Sequence, residues 1–184
     1  GATPLAELEA VLADRGQYLA FEPPHFGPGA PVGGCVGSGL SGPRRANAGA
    51  VRDFMLGVTL LDGRGEVLRF GGQVMKNVAG YDISRLVTGS LGTLGILLEV
   101  SLKVLPRPVA EATLRFELDE ASALRRVNEW GGQPLPVSAT LWQDGVLRLR
   151  LSGAEAAVQA ACARLGGEAL APGAAQALWT AVRE

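Results

Sequence analysis

"PVGGCVGSGLSGPRR", Pro31–Arg45, is the stretch on which the fold turns. It contains Gly37-x-Gly39-x-x-Gly42, the spelling of a dinucleotide-binding loop, and Asp62 follows about twenty positions on. A Rossmann loop runs from strand to turn to helix without interruption, and its acidic residue ends the next strand. Neither condition is met. Gly42 is followed by Pro43-Arg44-Arg45-Ala46-Asn47-Ala48-Gly49, which has no apolar period of 3.6, and Asp62 falls in the turn Asp62-Gly63-Arg64-Gly65 between two apolar runs. The stretch reads as a glycine-rich connection of another kind.

Upstream, "TPLAELEAVLADR" (3–15) predicts a helix capped by Thr3, with Pro4 at its first position, Gly16 at its end and a stripe of Leu5, Leu8, Val11 and Leu12. "YLAFEP" predicts a short strand. "PPHFGPGAPVGG" (23–34), with four prolines and four glycines, predicts a loop without regular structure.

Downstream, "FMLGVTLLDGRGEVLRF" predicts a β-hairpin, with Val58 and Leu60 in one arm and Val67, Leu68 and Phe70 in the other. A short helix is expected over about Asp82–Val87. "GILLEVSLKVL" predicts a strand with Ile96, Leu98, Val100, Leu102 and Val104 on one face and Glu99, Ser101 and Lys103 on the other. Pro106 and Pro108 end it and mark a boundary. Beyond them come a strand in "EATLRFEL", a helix in "DEASALRRVNEW" capped by Asp119, a hairpin of "VSATLW" and "GVLRLRLS" across Gln143-Asp144-Gly145, and a helix in "GAEAAVQAACARLGG". This β-α-β-β-α order is a ferredoxin-like unit short of its last strand, followed by helical "AAQALWTAVRE". The fold class is α+β, with one domain over 1–108 and a smaller unit over 109–184.

The composition narrows the function. The 184 residues are 47% hydrophobic and carry a net charge of −1, enough for a substantial core and without an electrostatic case for nucleic acid or an anionic membrane. No apolar run reaches transmembrane length. Cys35 and Cys162 lack Cys or His neighbours at metal-ligand spacing, so both read as free thiols in a reducing compartment and as small apolar fillers; zinc and iron–sulfur ligation have no support. His25 is the only histidine, so a nucleophile–histidine device would have no other base. The chain opens without Met and closes on an uncapped helix, which suggests a piece of a longer protein.

Three linked segments carry a family resemblance: "PVGGCVGSGLSGPRR", "AVRDFMLGVTLLDGRGEVLRFGG" and "KNVAGYDISRLVTGSLGTLGILLEVSLKVLPRP". Together they resemble the FAD-binding domain of the vanillyl-alcohol oxidase and p-cresol methylhydroxylase (PCMH-type) superfamily. Within it, they are most similar to the FAD-binding E subunits of bacterial glycolate oxidases. The resemblance implies FAD as cofactor and a PCMH-type FAD-binding subdomain. It also implies that Pro24, Gly33, Gly34, Gly37, Ser38 and Ser41 on one segment, and Gly92, Thr93, Gly95 and Ile96 on another, neighbour the cofactor. Glycine permits close backbone approach to phosphate and ring edges, and the hydroxyls would add donors.

Two departures stand out. The superfamily's earlier pyrophosphate loop lies before the point matching Gly1, and Leu91 replaces a glutamate common among relatives. The resemblance further implies oxidation of glycolate, or a similar short 2-hydroxy acid, to the 2-oxo acid. The implied partners are a second FAD-binding subunit and an iron–sulfur subunit, in a cytoplasmic setting or at the inner face of the membrane through the complex. Two alternatives stay open: a stand-alone FAD-dependent 2-hydroxy-acid dehydrogenase of the D-lactate type, and a non-catalytic assembly subunit with a degenerate FAD fold.

The remaining polar residues have two readings each. His25 is structural or a general base. Arg44 and Arg45 are solvated loop charges or lie near a phosphate or carboxylate. Lys76 and Asn77 hold the 71–82 loop by hydrogen bonds or take part in chemistry. Tyr81 packs beside the following helix and Asp82 caps it. Covalent flavin attachment has no candidates beyond His25 and Cys35.

Overall fold

The computed structural model describes residues 1–72 and 80–184. They form two compact units, Gly1–Arg107 with Arg183–Glu184, and Pro108–Val182.

The first unit runs α1 (Leu5–Ala13), β1 (Gln17–Tyr18), α2 (Val32–Ser38), α3 (Arg45–Ala48), α4 (Val51–Phe54), β2 (Met55–Leu61), β3 (Val67–Gly71), α5 (Ile83–Leu86), β4 (Ile96–Leu102) and β5 (Leu105–Pro106). β2 is central in an antiparallel sheet ordered β3-β2-β4, and β1 pairs with β5. The β2–β3 hairpin forms as expected, closing at Leu61 opposite Val67. Its turn is tied by Asp62, whose Oδ1 accepts the N–H groups of Arg64 and Glu66. The core gathers Leu5, Leu12, Phe21, Val36, Val51, Phe54, Val58 and Val87. The Phe21 and Phe54 rings lie 5.3 Å apart at 52°.

Four expectations are corrected here. Pro4, not Thr3, is the N-cap of α1; it has no side-chain cap bond, and the Thr3 carbonyl accepts the Val32 N–H at 2.8 Å. Val11 is half exposed and leaves the buried stripe to Leu5 and Leu12, with Leu8 partly covered. In "YLAFEP" only Tyr18 is in a strand; Leu19, Ala20 and Phe21 enter the core as irregular chain. The alternation of β4 breaks at Leu98. Thr59 pairs with Glu99 and Leu60 with Leu97, so Leu98 is an extra residue in the ladder. That bulge reverses the faces N-terminal to it: Leu97 packs on the core and Ile96 is 64% exposed.

The glycine-rich segment also departs from the expected loop. Val32–Ser38 is a helix, with Val32, Cys35 and Val36 buried and Gly39 in the left-handed conformation at its end (φ 70°). Tertiary burial outweighs the helix-weakening effect of Gly33, Gly34 and Gly37.

The second unit runs β6 (Ala110–Glu117), α6 (Glu120–Gly131), β7 (Val137–Gln143), β8 (Val146–Gly153), α7 (Glu155–Leu165), β9 (Glu168–Ala169) and α8 (Pro172–Arg183). Asp119 caps α6 by accepting the Ser122 N–H at 2.8 Å. Asp144 and Gly145 turn the β7–β8 hairpin with φ of 52° and 74°. The strand missing from the sequence reading is present: the two-residue β9 pairs with β6, giving the antiparallel order β7-β8-β6-β9 of a complete ferredoxin-like sheet. Leu114, Leu147, Leu149 and Leu151 form its core with Ala123 and Trp130 of α6 and Val158 and Ala161 of α7.

Candidate cofactor site

The first unit brings the two glycine-rich segments together at the C-terminal end of α2. The last carbonyls of a helix lack intrahelical donors. Here the 88–95 loop supplies them. Gly89 N–H donates to the Val36 carbonyl at 3.0 Å and Leu91 N–H to the Gly37 carbonyl at 2.9 Å. A Cβ on Gly39 would lie 3.0 Å from the Gly89 Cα, so the chains meet where both residues are glycine. Leu91 adopts φ 53°, which is costly for a branched side chain, and that side chain is 76% exposed.

The glycines divide by what faces them. At Gly33 a Cβ would come within 2.8 Å of the Gly1 carbonyl oxygen. At Gly95, with φ 141°, it would strike the Leu61 carbonyl. These two glycines serve the protein's own backbone contacts. Among the described residues, a Cβ on Gly37 or Gly92 would meet nothing within 4 Å, and one on Gly34 would meet only the Pro31 ring, at 3.2 Å. A flat ligand edge can approach the backbone at these three positions.

The hydroxyls are already engaged locally. Ser38 Oγ donates to the Cys35 carbonyl at 3.0 Å and Thr93 Oγ1 to the Ser90 carbonyl at 2.7 Å. Ser41 Oγ accepts the Val51 N–H at 3.0 Å, which ties the start of α4, and among the described residues its own hydrogen has no acceptor.

On the face of α2 toward the proline-rich loop lies a pocket of about 290 Å³, lined by Pro24, His25, Phe26, Gly34, Cys35 and Ser38 among others. Gly92, Thr93, Gly95 and Ile96 do not line it. His25 Nε2 approaches Glu9 Oε2 of α1 to 3.1 Å without hydrogen-bond alignment. Burial, with the Glu9 carboxylate adding to it, pushes the Cys35 thiol up to about 12, so Cys35 stays a protonated apolar filler.

Arg44 is neither a solvated charge nor open to a ligand phosphate. It is 7% exposed, its N–H and Nε donate to the Glu22 carboxylate at 3.0 and 3.2 Å, and its guanidinium lies 5.4 Å from the Tyr18 ring centroid. Arg45 is exposed. Asp82 caps α5 as expected, accepting the Arg85 N–H at 3.1 Å, but among the described residues Tyr81 is 92% exposed and does not pack beside the helix. Lys76 and Asn77 lie outside the described residues. Sequence reasoning missed Glu9, Glu22 and the conformation of Leu91. Glu9 and Glu22 meet partners distant in sequence, so no local spacing announces them.

Two glycine-rich segments are thus joined by hydrogen bonds at the end of α2, and an apolar pocket lies on the face of α2 toward the proline-rich loop. Residues 1–71 match the FAD binding domain family. The chain is 53% identical, over 92% of its length, to the glycolate oxidase subunit GlcE of Escherichia coli, of which it covers 48%. It is 40% identical to the glycolate oxidase subunit GlcD of Bacillus subtilis over 45% of its length and 18% of that protein. The chain thus spans about half the length of the first relative and less of the second. In structure it is similar to alkyldihydroxyacetonephosphate synthase, with a TM-score of 0.68 and 20% identity over 94% of this chain and 41% of that one, a likeness of fold. In residues 1–71 the chain is similar to the FAD binding domain family, and along nearly its whole length it is similar to the glycolate oxidase subunit GlcE.

Proposed function

We propose that this chain is the flavin-holding part of a glycolate oxidase subunit, acting with a second FAD-binding subunit and an iron–sulfur subunit on glycolate or a similar short 2-hydroxy acid. Residues 1–108 hold FAD, and residues 109–184 form the smaller cap unit. The observation that carries the reading is the junction of α2 with the 88–95 loop, where Gly89 and Leu91 donate to the Val36 and Gly37 carbonyls. These hydrogen bonds tie the two segments of the resemblance to each other, which supports the reading.

Gly34, Gly37 and Gly92 offer backbone to the cofactor. Pro24, Ser38 and Ser41 flank it on the α2 side, and Thr93 and Ile96 on the other. Gly33 and Gly95 act indirectly, by keeping the chain close enough to shape that surface. FAD, when bound, supplies the redox chemistry of the hydroxyl-to-carbonyl oxidation; the protein positions it and excludes water. The complex works in the cytoplasm or at the inner face of the membrane. Among the described residues no helix is long and apolar enough to cross a membrane.

A second reading, a self-sufficient dehydrogenase of the D-lactate type, rests on the single imidazole–carboxylate contact of His25 and Glu9 beside the pocket. Two measurements test both. Flavin absorbance of the purified chain after FAD addition should show binding, and a chain that never retains flavin refutes the cofactor assignment. Dye reduction by the chain alone with saturating glycolate should be negligible, because a missing placed base alone costs roughly 10²–10⁴ in rate. Sustained turnover that is lost in His25→Ala would favour the second reading.

A further inference from the structure

The proline-rich loop of the first unit is anchored at both ends and strained between them. Pro23 is fully buried at one end. At the other, the Ala30 carbonyl accepts the Leu5 N–H at 2.8 Å and the Val32 N–H donates to the Thr3 carbonyl at 2.8 Å. Between these anchors Phe26 adopts φ 51°, a left-handed conformation that is uncommon and costly for a bulky residue. Packing does not hold it there, because Phe26 is 70% exposed. A carboxylate does. Glu184, which belongs to the same unit, accepts the N–H groups of both His25 and Phe26 on its Oε2, each at 3.0 Å. Among the described residues, these are the only hydrogen bonds that the N–H groups of residues 24–29 donate to other parts of the chain.

Two N–H groups on one ionised oxygen make stronger bonds than neutral acceptors allow. Arg183 Nε donates to the other oxygen, Oε1, at 3.0 Å and steadies the carboxylate. Burial alone would raise the Glu184 carboxyl, but the Phe26 and His25 N–H groups, with Arg183, outweigh it and hold it below its ordinary value. Beyond Phe26, a Cβ on Gly27 or Gly29 would meet nothing within 4 Å among the described residues, so the segment has room to swing. Pro24, His25 and Phe26 of this segment line the apolar pocket of about 290 Å³ together with Gly34, Cys35 and Ser38 of α2. We propose that residues 24–29 are a strap over this pocket and that the Glu184 carboxylate is the latch that keeps it closed. When the latch is released, Phe26 relaxes out of the left-handed region and the pocket opens to solvent. The device is built from the chain alone and does not depend on the flavin reading.

The test uses the full chain without added FAD, at one neutral pH. Amide hydrogen exchange of His25 and Phe26, followed by NMR, reads the latch. Alkylation of Cys35, located by mass spectrometry, reads the pocket, since Cys35 lines it and is buried behind the strap. Glu184→Ala should speed exchange at His25 and Phe26 by about tenfold or more, because both amides lose a charged acceptor. Cys35 should then be labelled several-fold faster, while Cys162 in the second unit and the amides of β2 keep their wild-type rates. Glu184→Gln, which keeps an acceptor oxygen and loses the charge, should fall between wild type and Glu184→Ala in both readouts. Unchanged exchange at His25 and Phe26 in Glu184→Ala would overturn the latch. Faster exchange with Cys35 labelled at the wild-type rate would overturn the strap, because the loop would then move without opening the pocket. Loss of protection at β2 would overturn the proposal too, since Glu184 would be a partner in the whole unit's stability. Wild-type behaviour of Glu184→Gln would remove the role of charge.

Discussion

Gly37→Ala should make the ligand-free chain more stable and its flavin binding weaker, and the opposite signs make it a sharp test. Gly37 is the penultimate residue of α2, and a Cβ there would meet nothing within 4 Å. Steric cost is therefore absent. Glycine within a helix is less favourable than alanine by about 0.5–1 kcal/mol, and a position near the helix end should realise the lower part of that range. For a unit of roughly a hundred residues, about 0.5 kcal/mol corresponds to a rise of about 2–4 °C in melting temperature. The same methyl enters the open space beside the Leu91 loop, where the proposed cofactor approaches the backbone. Displacing a ligand edge by a methyl's width should lower affinity by about tenfold or more, equivalent to about 1.4 kcal/mol. Scanning calorimetry without FAD gives the first quantity, and flavin fluorescence quenching on titration gives the second. A lowered melting temperature would mean that Gly37 faces protein. A raised one with unchanged flavin affinity would mean that no ligand approaches α2 at this point.

Gly95→Ala should act in the reverse sense, destabilising by about 2 kcal/mol or more through positive-φ strain and the clash with the Leu61 carbonyl, as read by urea denaturation; stability within error of wild type would contradict the assigned backbone contact. Glu22→Gln should cost about 3 kcal/mol by leaving the buried Arg44 guanidinium without its carboxylate, and an unchanged denaturation midpoint would return Arg44 to the pool of ligand-binding candidates. Cys35, with its thiol raised from 9.0 to about 12, should be alkylated at pH 8 far more slowly in the folded than in the urea-unfolded chain, since it holds roughly 10³-fold less thiolate. Because the folded value is the higher one, the stability Cys35 contributes is complete below pH 9 and falls as pH rises toward 12. Equal labelling rates by mass spectrometry would remove the burial argument.

What the sequence disclosed of the fold is what local chemistry determines. The β2–β3 hairpin was legible because Asp62 organises its own turn, bonding to N–H groups two and four residues on. The cap of α6 was legible for the same reason. α2 was not. With glycine at three of its seven positions its intrinsic propensity is poor, and it persists because Val32, Cys35 and Val36 are buried and a loop more than fifty residues away closes its end. The bulge at Leu98 was equally hidden. A single extra residue reverses the faces of a strand, and the apolar alternation of "ILLEV" continues through it unchanged. β9 escaped because two residues cannot display a period.

The site shows the same division. Family resemblance located two glycine-rich segments, and tertiary hydrogen bonds do join them. The letter G, however, reports only that a backbone must come close to something, not what it comes close to. At Gly33 and Gly95 the neighbour is the protein's own carbonyl; at Gly37 and Gly92 no described residue would lie within 4 Å of a Cβ. The hydroxyls behave alike: Ser38 and Thr93 have spent their hydrogens on carbonyls three residues back, while Ser41 has kept its own. Among the eight glycines and hydroxyl residues of the pattern, then, Gly34, Gly37 and Gly92 would bring a Cβ against no backbone and Ser41 donates no hydrogen bond, among the described residues. The cofactor should be most sensitive to substitution at those four, and the fold most sensitive at Gly33 and Gly95.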